Sequence, residues 1–244
     1  MELFIGSLFQ TGGEANPIDV YWHGKSRAKF TLELASNGGD VGFYIRTRSS
    51  LKNYLESQIY AQYPGIEVVE VEDYVDKIDY DSGEYSMFGV EYELAQPDPI
   101  PLKTYVDYGL DKVAEEDEKV DPITATLEFL GSLKAGENAW IQIHVKAHKK
   151  ESKKSGTLFD KTDYWVDEAK KMVQEIKEEG IYKDDKDPDS RPIAFQTEAQ
   201  KEKINAIERN ISKPGFDCGI RGIYIAEKDA FTGPNIGGLI GSFR

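Results

Sequence analysis

Cysteine is almost absent from this sequence, and the single Cys218 excludes an internal disulfide and any cysteine-rich metal site. This usage is typical of a reducing compartment. No apolar run approaches the roughly 18 residues that a membrane-spanning helix needs. The opening MELFIGSLFQ has an acidic second residue and no basic segment, so we do not interpret it as a signal peptide. We therefore expect a cytoplasmic location.

Complete catalytic and nucleotide-binding motifs are also missing. Gly24-Lys25-Ser26 matches the end of a P-loop, G-x-x-x-x-G-K-[ST], but Asp19 stands where the first glycine is required. G-x-S-x-G, H-E-x-x-H and G-x-G-x-x-G do not occur. Cys218 has no neighbouring base, and we interpret it as a small buried residue on a strand. We expect no catalytic residues, no cofactor and no enzymatic activity in this chain.

Positive charge is scarce: the net charge is −14, and the stretch from residue 67 to 118 holds 17 Asp or Glu against 3 Lys. A field of this sign repels nucleic acid, so nucleic-acid binding would need a local basic patch. We interpret the acidic stretch as solvated loops and faces. The carboxylate pairs Glu70/Glu72 and Glu91/Glu93 are interpreted as the wet face of a strand, with an acid/base pair as the alternative.

Hydrophobic spacing predicts α-helices and alternating strands along the whole chain. Asn37-Gly38-Gly39-Asp40 supplies turn residues for a tight antiparallel hairpin. Asp121 with Pro122 is typical of a helix start, and Thr197 with Gln200 is typical of a capping box. The predicted helices cover 1–10, 50–64, 121–136, 163–180 and 197–213, and the predicted strands cover 28–36, 41–49, 66–74, 86–96, 139–147 and 216–227.

This order predicts an α+β fold with mostly antiparallel sheets and helices packed on one face. The arrangement favours two ferredoxin-like lobes, residues 1–80 and residues 81–244, with lysine-rich and acidic insertions in the second, although one continuous domain is the alternative. The strand at residues 139–147 is nearly continuously apolar and is expected at the centre of a sheet.

Three histidines are the only candidate metal ligands outside the acidic residues. His144 and His148 are four residues apart at the end of one predicted strand, but a zinc site also needs acidic or cysteine partners. We interpret His144 as half-buried on the strand and His148 as solvent-facing, so no metal site is predicted.

Two basic groups are candidates for contact with nucleic acid or a protein partner. The first alternates on a predicted strand and lies near Tyr44, Tyr54 and Tyr60, which together suit stacking of single-stranded bases; a solvated strand face is the alternative. The second follows the central strand and includes Lys146. The candidate contact residues are Arg46, Arg48, Lys52, Lys149, Lys150, Lys153 and Lys154.

Three segments carry a resemblance to a known family: FTLELASNGGDVGFYIRTRSSLKNYLESQIYAQYPGIEVVEVEDY, DPITATLEFLGSLKAGENAWIQI and NISKPGFDCGIRGIYIAEKDAF. Through them the chain resembles an uncharacterised domain family found N-terminal to type IV secretion or conjugation-like (HerA/FtsK-related) ATPase domains in bacterial proteins. The resemblance covers nearly the whole chain. It carries over no catalytic residue, because its glycines and prolines look structural.

The resemblance implies a non-catalytic accessory or assembly domain of a translocation ATPase. Its partners would be its own ATPase domain or neighbouring subunits, bound through sheet edges and helices. The domain would lie at the cytoplasmic face of the inner membrane through segments outside this chain. Residues 149–157 and 182–192 are where partner-specific contacts are expected. A single-stranded nucleic-acid-binding module, a stand-alone protein-interaction domain and an enzyme of unknown type are the alternatives.

Overall fold

The computed structural model describes residues 2–14, 17–104, 107–109, 123–152, 161–182 and 193–243. The chain divides into two compact units, each assembled from separated stretches. The first contains Met1–Glu93, Glu115–Ala147 and Phe216–Arg244, and the second contains Leu94–Ala114 and His148–Gly215. The predicted α+β class is confirmed. Within the described ranges, no helix is long and apolar enough to cross a membrane.

The helices and strands alternate along the chain without a simple repeat. The helices are α1 (Glu2–Ser7), α2 (Pro17–Tyr21), α3 (Lys52–Gln62), α4 (Thr124–Gly131), α5 (Tyr164–Glu179), α6 (Glu198–Ile211) and α7 (Gly233–Gly241). The strands are β1 (Lys29–Asn37), β2 (Asp40–Arg46), β3 (Tyr85–Tyr92), β4 (Glu137–Ala147), β5 (Glu151–Ser152), β6 (Lys161–Thr162), β7 (Ile181–Tyr182), β8 (Ile193–Ala194) and β9 (Phe216–Glu227).

The first unit is organised by a five-stranded sheet with the order β2-β1-β4-β9-β3, antiparallel throughout. Strand β4 lies in the middle of the sheet, as the sequence predicts. It is mostly buried, with Ile141 and Ala139 fully inaccessible. The predicted hairpin of β1 and β2 is also confirmed, and Gly38 and Gly39 occupy its two-residue turn with φ of 63° and 93°.

Helices cover one face of this sheet, which we call the helix face. They pack on it in two hydrophobic clusters. Alternation of side chains along each strand presents one set of residues to these helices. In the first cluster α1 and α3 pack on β1 and β4, and in the second α4 and α7 pack on β4 and β9. The buried members are Phe4, Leu8, Ala28, Phe30, Leu55, Ile59 and Val145, and then Leu130, Leu133, Ala139, Ile141, Tyr224, Ala226 and Leu239.

In the second unit α5 and α6 pack against each other through an apolar stripe on each helix, and the stripes hold Ala169, Val173, Ile176, Ile204 and Ile207. The predicted capping box starts α6. The Gln200 backbone N–H donates to the Thr197 hydroxyl at 3.2 Å, and the Thr197 N–H donates to the Gln200 side chain at 3.0 Å. These bonds satisfy donors that a helix start leaves without intrahelical partners.

Two ferredoxin-like lobes are not confirmed, because strands from both predicted lobes lie in one sheet. β1, before residue 80, pairs with β4 from Lys29↔Lys146 to Asn37↔Asn138. A boundary between residues 80 and 81 would therefore cut a continuous ladder. The predicted strand over 66–74 is also wrong: a 3-10 turn, Tyr74–Lys77, follows an irregular stretch in which Val69 and Val71 are exposed.

Helix α7 was not predicted, because four glycines and a proline weaken helix propensity in residues 233–241. Tertiary packing explains it. A Cβ on Gly222 of β9 would lie 2.9 Å from Leu239, and a Cβ on Gly238 would lie 2.4 Å from the Phe129 ring. The glycines let α7 approach the sheet and α4 closely. The predicted start of α4 at Asp121 and Pro122 lies outside the described residues.

Replacing Gly39 with alanine should destabilise the protein. The position has φ of 93°, and a Cβ would lie 2.5 Å from the Leu133 carbonyl oxygen. The left-handed conformation alone costs about 1–2 kcal/mol for a residue with a Cβ, and the clash adds to it. The matched Gly6→Ala change in α1 meets open space and should be neutral or stabilising by up to about 1 kcal/mol. Urea unfolding of both variants measures the difference, and equal midpoints would contradict it.

Candidate functional site

The face of the sheet opposite the helix face is only partly covered, and we call it the open face. The side chains on it come from every strand of the sheet. They include Arg46, Thr31, Glu33, Gln142, His144, Arg221 and Met87. Tyr74 and Ile78 pack over part of it, against Ala35, Trp140 and Ile225. Elsewhere on the face Thr31, Glu33 and Gln142 are buried and His144 is half-buried, whereas Arg46, Met87 and Arg221 are exposed.

A row of hydrogen bonds runs across the open face from β1 to β9. The Tyr74 hydroxyl donates to the Glu33 carboxylate at 2.5 Å, and the Gln142 amide donates to the Tyr74 oxygen at 2.8 Å. Arg221 Nε donates to the Gln142 Oε1 atom at 2.6 Å. Glu33, Tyr74 and Gln142 are each about 5% exposed or less. The buried Glu33 carboxylate therefore accepts a hydrogen bond from the Tyr74 phenol, and the Gln142 amide in turn bonds that phenol.

Arg46 completes the row at the β2 edge. Its guanidinium donates to the Asp73 carboxylate and lies 3.7 Å from Glu33 Oε1. Burial, followed by the hydrogen bond to Glu33, raises the pKa of the Tyr74 phenol far above its ordinary value. The phenol therefore stays protonated and remains a donor. The row holds one arginine at each end, Arg46 on β2 and Arg221 on β9, and both side chains keep exposed surface.

His144 lies beside this row, 3.1 Å from the Thr31 hydroxyl through Nδ1. Burial lowers the pKa of the imidazole below its ordinary value, and the positive charge of Arg221 lowers it further. Arg46 and Lys29 act in the same direction, and Glu33 opposes them. His144 is half-buried, as the sequence predicts. Burial and the nearby cations therefore favour the neutral form of the imidazole.

The open face offers space as well as charge. A Cβ on Gly89 or Gly219 would meet no atom within 4 Å, and Met87, two residues before Gly89 on the same face of β3, is 51% exposed. Among the described residues, Arg221 forms no ion pair, and the exposed Glu91 lies opposite it in the ladder. The exposed part of the face therefore combines an apolar side chain, two glycines, a cation and a carboxylate.

The first predicted basic group is engaged with its own chain. Arg46 bonds Asp73, Arg48 donates to the Ser26 hydroxyl and the Arg27 carbonyl, and Lys52 lies 2.5 Å from Glu70. Lys52 and Glu70 are exposed, so their pair contributes little to stability. Glu70 is thus the partner of a lysine and not of Glu72.

The tyrosines of the predicted stacking surface lie on different faces. Tyr44 packs against Tyr74 on the open face, whereas Tyr54 and Tyr60 belong to α3 on the helix face. The Tyr54 hydroxyl donates to the Ser7 carbonyl at 2.8 Å. The structure therefore does not bring the three rings together.

The second basic group is divided. Lys146 ends β4 and lies 3.5 Å from Asp217, while Lys149 is half-buried and Lys150 is exposed. Lys153 and Lys154 lie outside the described residues. Their role as contact residues stays a prediction.

Two local interpretations need correction. Cys218 is exposed on β9, not buried. His148 is half-buried and not solvent-facing, since its Nε2 lies 3.2 Å from Asp163 and its ring meets the edge of Trp165. In the part of the chain that is described, no three His, Cys, Asp or Glu side chains form a group that could hold a metal.

The P-loop-like triplet is bonded locally. Lys25 Nζ lies 2.8 Å from Asp19, the residue that replaces the first glycine, and the Ser26 hydroxyl accepts a bond from Arg48. Both side chains that would serve a phosphate in a P-loop are therefore occupied by neighbours. This local bonding favours the interpretation of the triplet as coincidence.

A second buried carboxylate, Glu137, holds the start of α7 in place. It accepts bonds from the Lys134 N–H at 2.8 Å, the Tyr224 hydroxyl at 2.8 Å and the Asn235 amide at 2.5 Å. These donors explain why a charged residue is tolerated in the core. They join the turn after α4, strand β9 and helix α7.

Sequence reasoning missed the residues that define the open face. Glu33, Gln142 and Arg221 alternate with apolar neighbours and are expected on a wet face, and nothing local shows that Tyr74 folds back over them. The one signal that the sequence offers for these residues is their position in the alternation of each strand. The alternation of β1 and β4 places Glu33 opposite Gln142 once the two strands are known to pair.

Replacing Tyr74 with phenylalanine should cost about 1–3 kcal/mol, because the buried Glu33 carboxylate loses a donor and the Gln142 amide loses an acceptor. Tyr44→Phe is the matched control, since the Tyr44 ring lies 5.2 Å from that of Tyr74 and takes no part in the row. Urea unfolding at neutral pH measures both, and a loss in Tyr44→Phe as large as in Tyr74→Phe would contradict the row.

The imidazole of His144 should titrate below an ordinary histidine, and Arg221→Met should raise its pKa by removing a nearby cation. The pKa is lowered in the folded state, so the unfolded chain binds the proton more readily, and stability should fall as the pH drops through about 6.5. Nuclear magnetic resonance titration of the ring protons tests this. An unchanged His144 pKa in Arg221→Met would show that the cation has no influence.

Comparisons with known proteins assign no role to the open face. No family model matches the chain, and neither a curated protein nor a solved structure matches it.

Proposed function

We propose that this chain is a non-catalytic accessory domain of a conjugation-type translocation ATPase, and that the open face of its sheet docks a neighbouring protein segment. The family part of the proposal rests on the three resembling segments given above. The docking part rests on one observation: helices cover one face of the five-stranded sheet, whereas the other leaves Met87, two open glycines and Arg221 exposed.

The chemistry of the open face supports a protein partner that carries an acidic side chain. Arg221 is held at its Nε by Gln142, so its two terminal nitrogens can form a bidentate bond with a carboxylate. Met87 offers adaptable apolar contact on the neighbouring strand, four residues along β3 from Glu91, which is the residue opposite Arg221. Because the surrounding row is buried and fully bonded, the arginine is presented in one orientation. This lowers the entropic cost of binding.

A single-stranded nucleic-acid-binding module is less well supported. Arg46, Arg48 and Lys52 already have oxygen partners in the chain, and the net charge of −14 opposes a polyanion. The lysine-rich residues 149–154 are the remaining support for that alternative.

Photocrosslinking in cells that make the protein tests the proposed docking. We expect p-benzoylphenylalanine at position 87 to form an adduct with a translocation ATPase subunit, identified by mass spectrometry. Val69, 61% exposed in the same unit but off the sheet, is the matched control position and should give no such adduct. Arg221→Glu should abolish the adduct at position 87, because it places a carboxylate against a carboxylate.

Three outcomes would count against the proposal. Equal amounts of adduct at positions 69 and 87 would show that the partner does not bind the open face in preference to other exposed surface. An adduct at position 87 that survives Arg221→Glu would remove the role of the cation. Salt-sensitive binding of single-stranded DNA by the purified chain, lost on charge reversal of Lys149 and Lys150, would favour the nucleic-acid alternative.

A further inference from the structure

Strand β2 lies at an edge of the sheet, where Asp73 bonds the Arg46 side chain and the Tyr74 ring packs against Tyr44. It pairs only with β1, over seven consecutive residues without a bulge. Its sequence, DVGFYIR, contains neither lysine nor proline. Among the described residues, no backbone hydrogen bond outside the β1 ladder reaches it. Such an edge presents free donors and acceptors to another strand.

The register of the hairpin tells which backbone groups point outward. In a two-residue hairpin the residues that flank the turn, Asn37 and Asp40, exchange hydrogen bonds, and bonded pairs then alternate along the ladder. Val41, Phe43 and Ile45 therefore direct their N–H and C=O groups away from β1. Phe43 is the middle residue of the strand, and its side chain is 70% exposed.

The sequence of β2 is complementary to itself when two copies run antiparallel about Phe43. Asp40 of each copy then lies opposite Arg46 of the other, whose guanidinium also bonds Asp73 of its own chain, and Val41 lies opposite Ile45. The two phenylalanines meet at the two-fold axis. Opposite charges at both ends and apolar residues in the centre favour this register, because directly opposed cross-strand pairs contribute most of the side-chain interaction.

The other edge of the sheet lacks this property. Glu91 is the one charged residue of β3, so no antiparallel pairing of that strand with itself brings opposite charges together. If the register between the two copies of β2 shifted by one residue, their apolar side chains would point to opposite faces of the joined sheet. The charge pattern therefore selects one strand and one register.

We propose that two copies of this chain associate through β2, in register about Phe43, to form a continuous sheet of ten strands, five from each copy. A two-fold axis makes the contact self-complementary and closed. The proposal is independent of the docking function above, because it uses the edge of the sheet and not its open face. The contact is small and each copy carries −14 charges, so a weak dimer is expected, with a dissociation constant on the order of 10⁻⁵ M.

Sedimentation of the full chain over a wide concentration range, at about 0.15 M salt so that net repulsion is screened, measures the association. The wild type should be a concentration-dependent dimer. Phe43→Pro should be monomeric at all concentrations, because it removes the outward N–H while β1 keeps its own bonds, and proline is tolerated on an edge in that orientation. Asp40→Arg should weaken association about tenfold or more, since two opposite-charge contacts become like-charge contacts.

Leu3→Lys is the control, because Leu3 of α1 is an exposed apolar residue that belongs neither to the β2 edge nor to the open face, and it should leave association unchanged. Far-ultraviolet circular dichroism and urea midpoints check that each variant is folded. A wild type that stays monomeric would overturn the proposal. Equal weakening by Leu3→Lys and Asp40→Arg would place the contact elsewhere.

Disulfide trapping tests the register even if Phe43→Pro does not fold. Bonded antiparallel neighbours have Cα atoms about 5.5 Å apart, within the range of a disulfide. In a Cys218→Ser background, Phe43→Cys should form a disulfide-linked dimer under mild oxidation. Asp40→Cys, whose copies lie at opposite ends of the paired strands, should not. Equal cross-linking of the two variants would exclude the proposed register.

Discussion

The antiparallel pairing of β4 with both β1 and β9 is the constraint on which the first compact unit depends. β4 contributes its whole length to the ladder with β9 and nine residues to the ladder with β1. Once these registers are set, alternation assigns every side chain of the three strands to one face. Ala139, Ile141 and Val145 face the helices, while Trp140, Gln142 and His144 form the opposite face. The difference between the two faces therefore follows from one strand.

Burial of Glu33 shows how a stability requirement orients a cation on the protein surface. An unpaired buried carboxylate would be costly, so the chain supplies a phenol and a nearby guanidinium. The phenol needs a further donor, which is Gln142, and the amide oxygen in turn holds Arg221. The exposed arginine at the end is thus oriented by groups whose first role is to satisfy the core. Rigid presentation of a cation is what a docking surface requires.

Charge acts on two length scales in this protein. The net charge of −14 discourages contact with polyanions and between copies of the chain, but this long-range effect is weakened by salt. Short-range pairing depends on which residues stand opposite each other. The seven residues of β2 begin with Asp40 and end with Arg46, so the edge is neutral and complementary to itself within an acidic molecule. The local charge pattern of β2 can therefore favour association between copies of the chain, although the net charge opposes it.

Interactions between near neighbours were predictable from the sequence. The hairpin at Gly38 and Gly39, the central position of β4 and the capping box at Thr197 depend on turn geometry, local hydrophobicity and a three-residue spacing. Residues that act through distant partners were not predictable. Examples are the exposure of Cys218, the formation of helix α7 and the row of hydrogen bonds from Glu33 to Arg221. Each depends on which distant part of the chain packs against the residues concerned.

The sequence by itself determined the α+β class, most of the helices and strands, and the two alternating faces of each strand, because these follow from backbone geometry and spacing. Only the tertiary structure decided which strands are neighbours. β1 and β4 are separated by about a hundred residues, and no local pattern encodes that pairing. The pairing merges the predicted lobes into one sheet, places Tyr74 over Glu33, and leaves β2 at an edge. The open face and the self-complementary edge are therefore consequences of long-range contact and not of any motif.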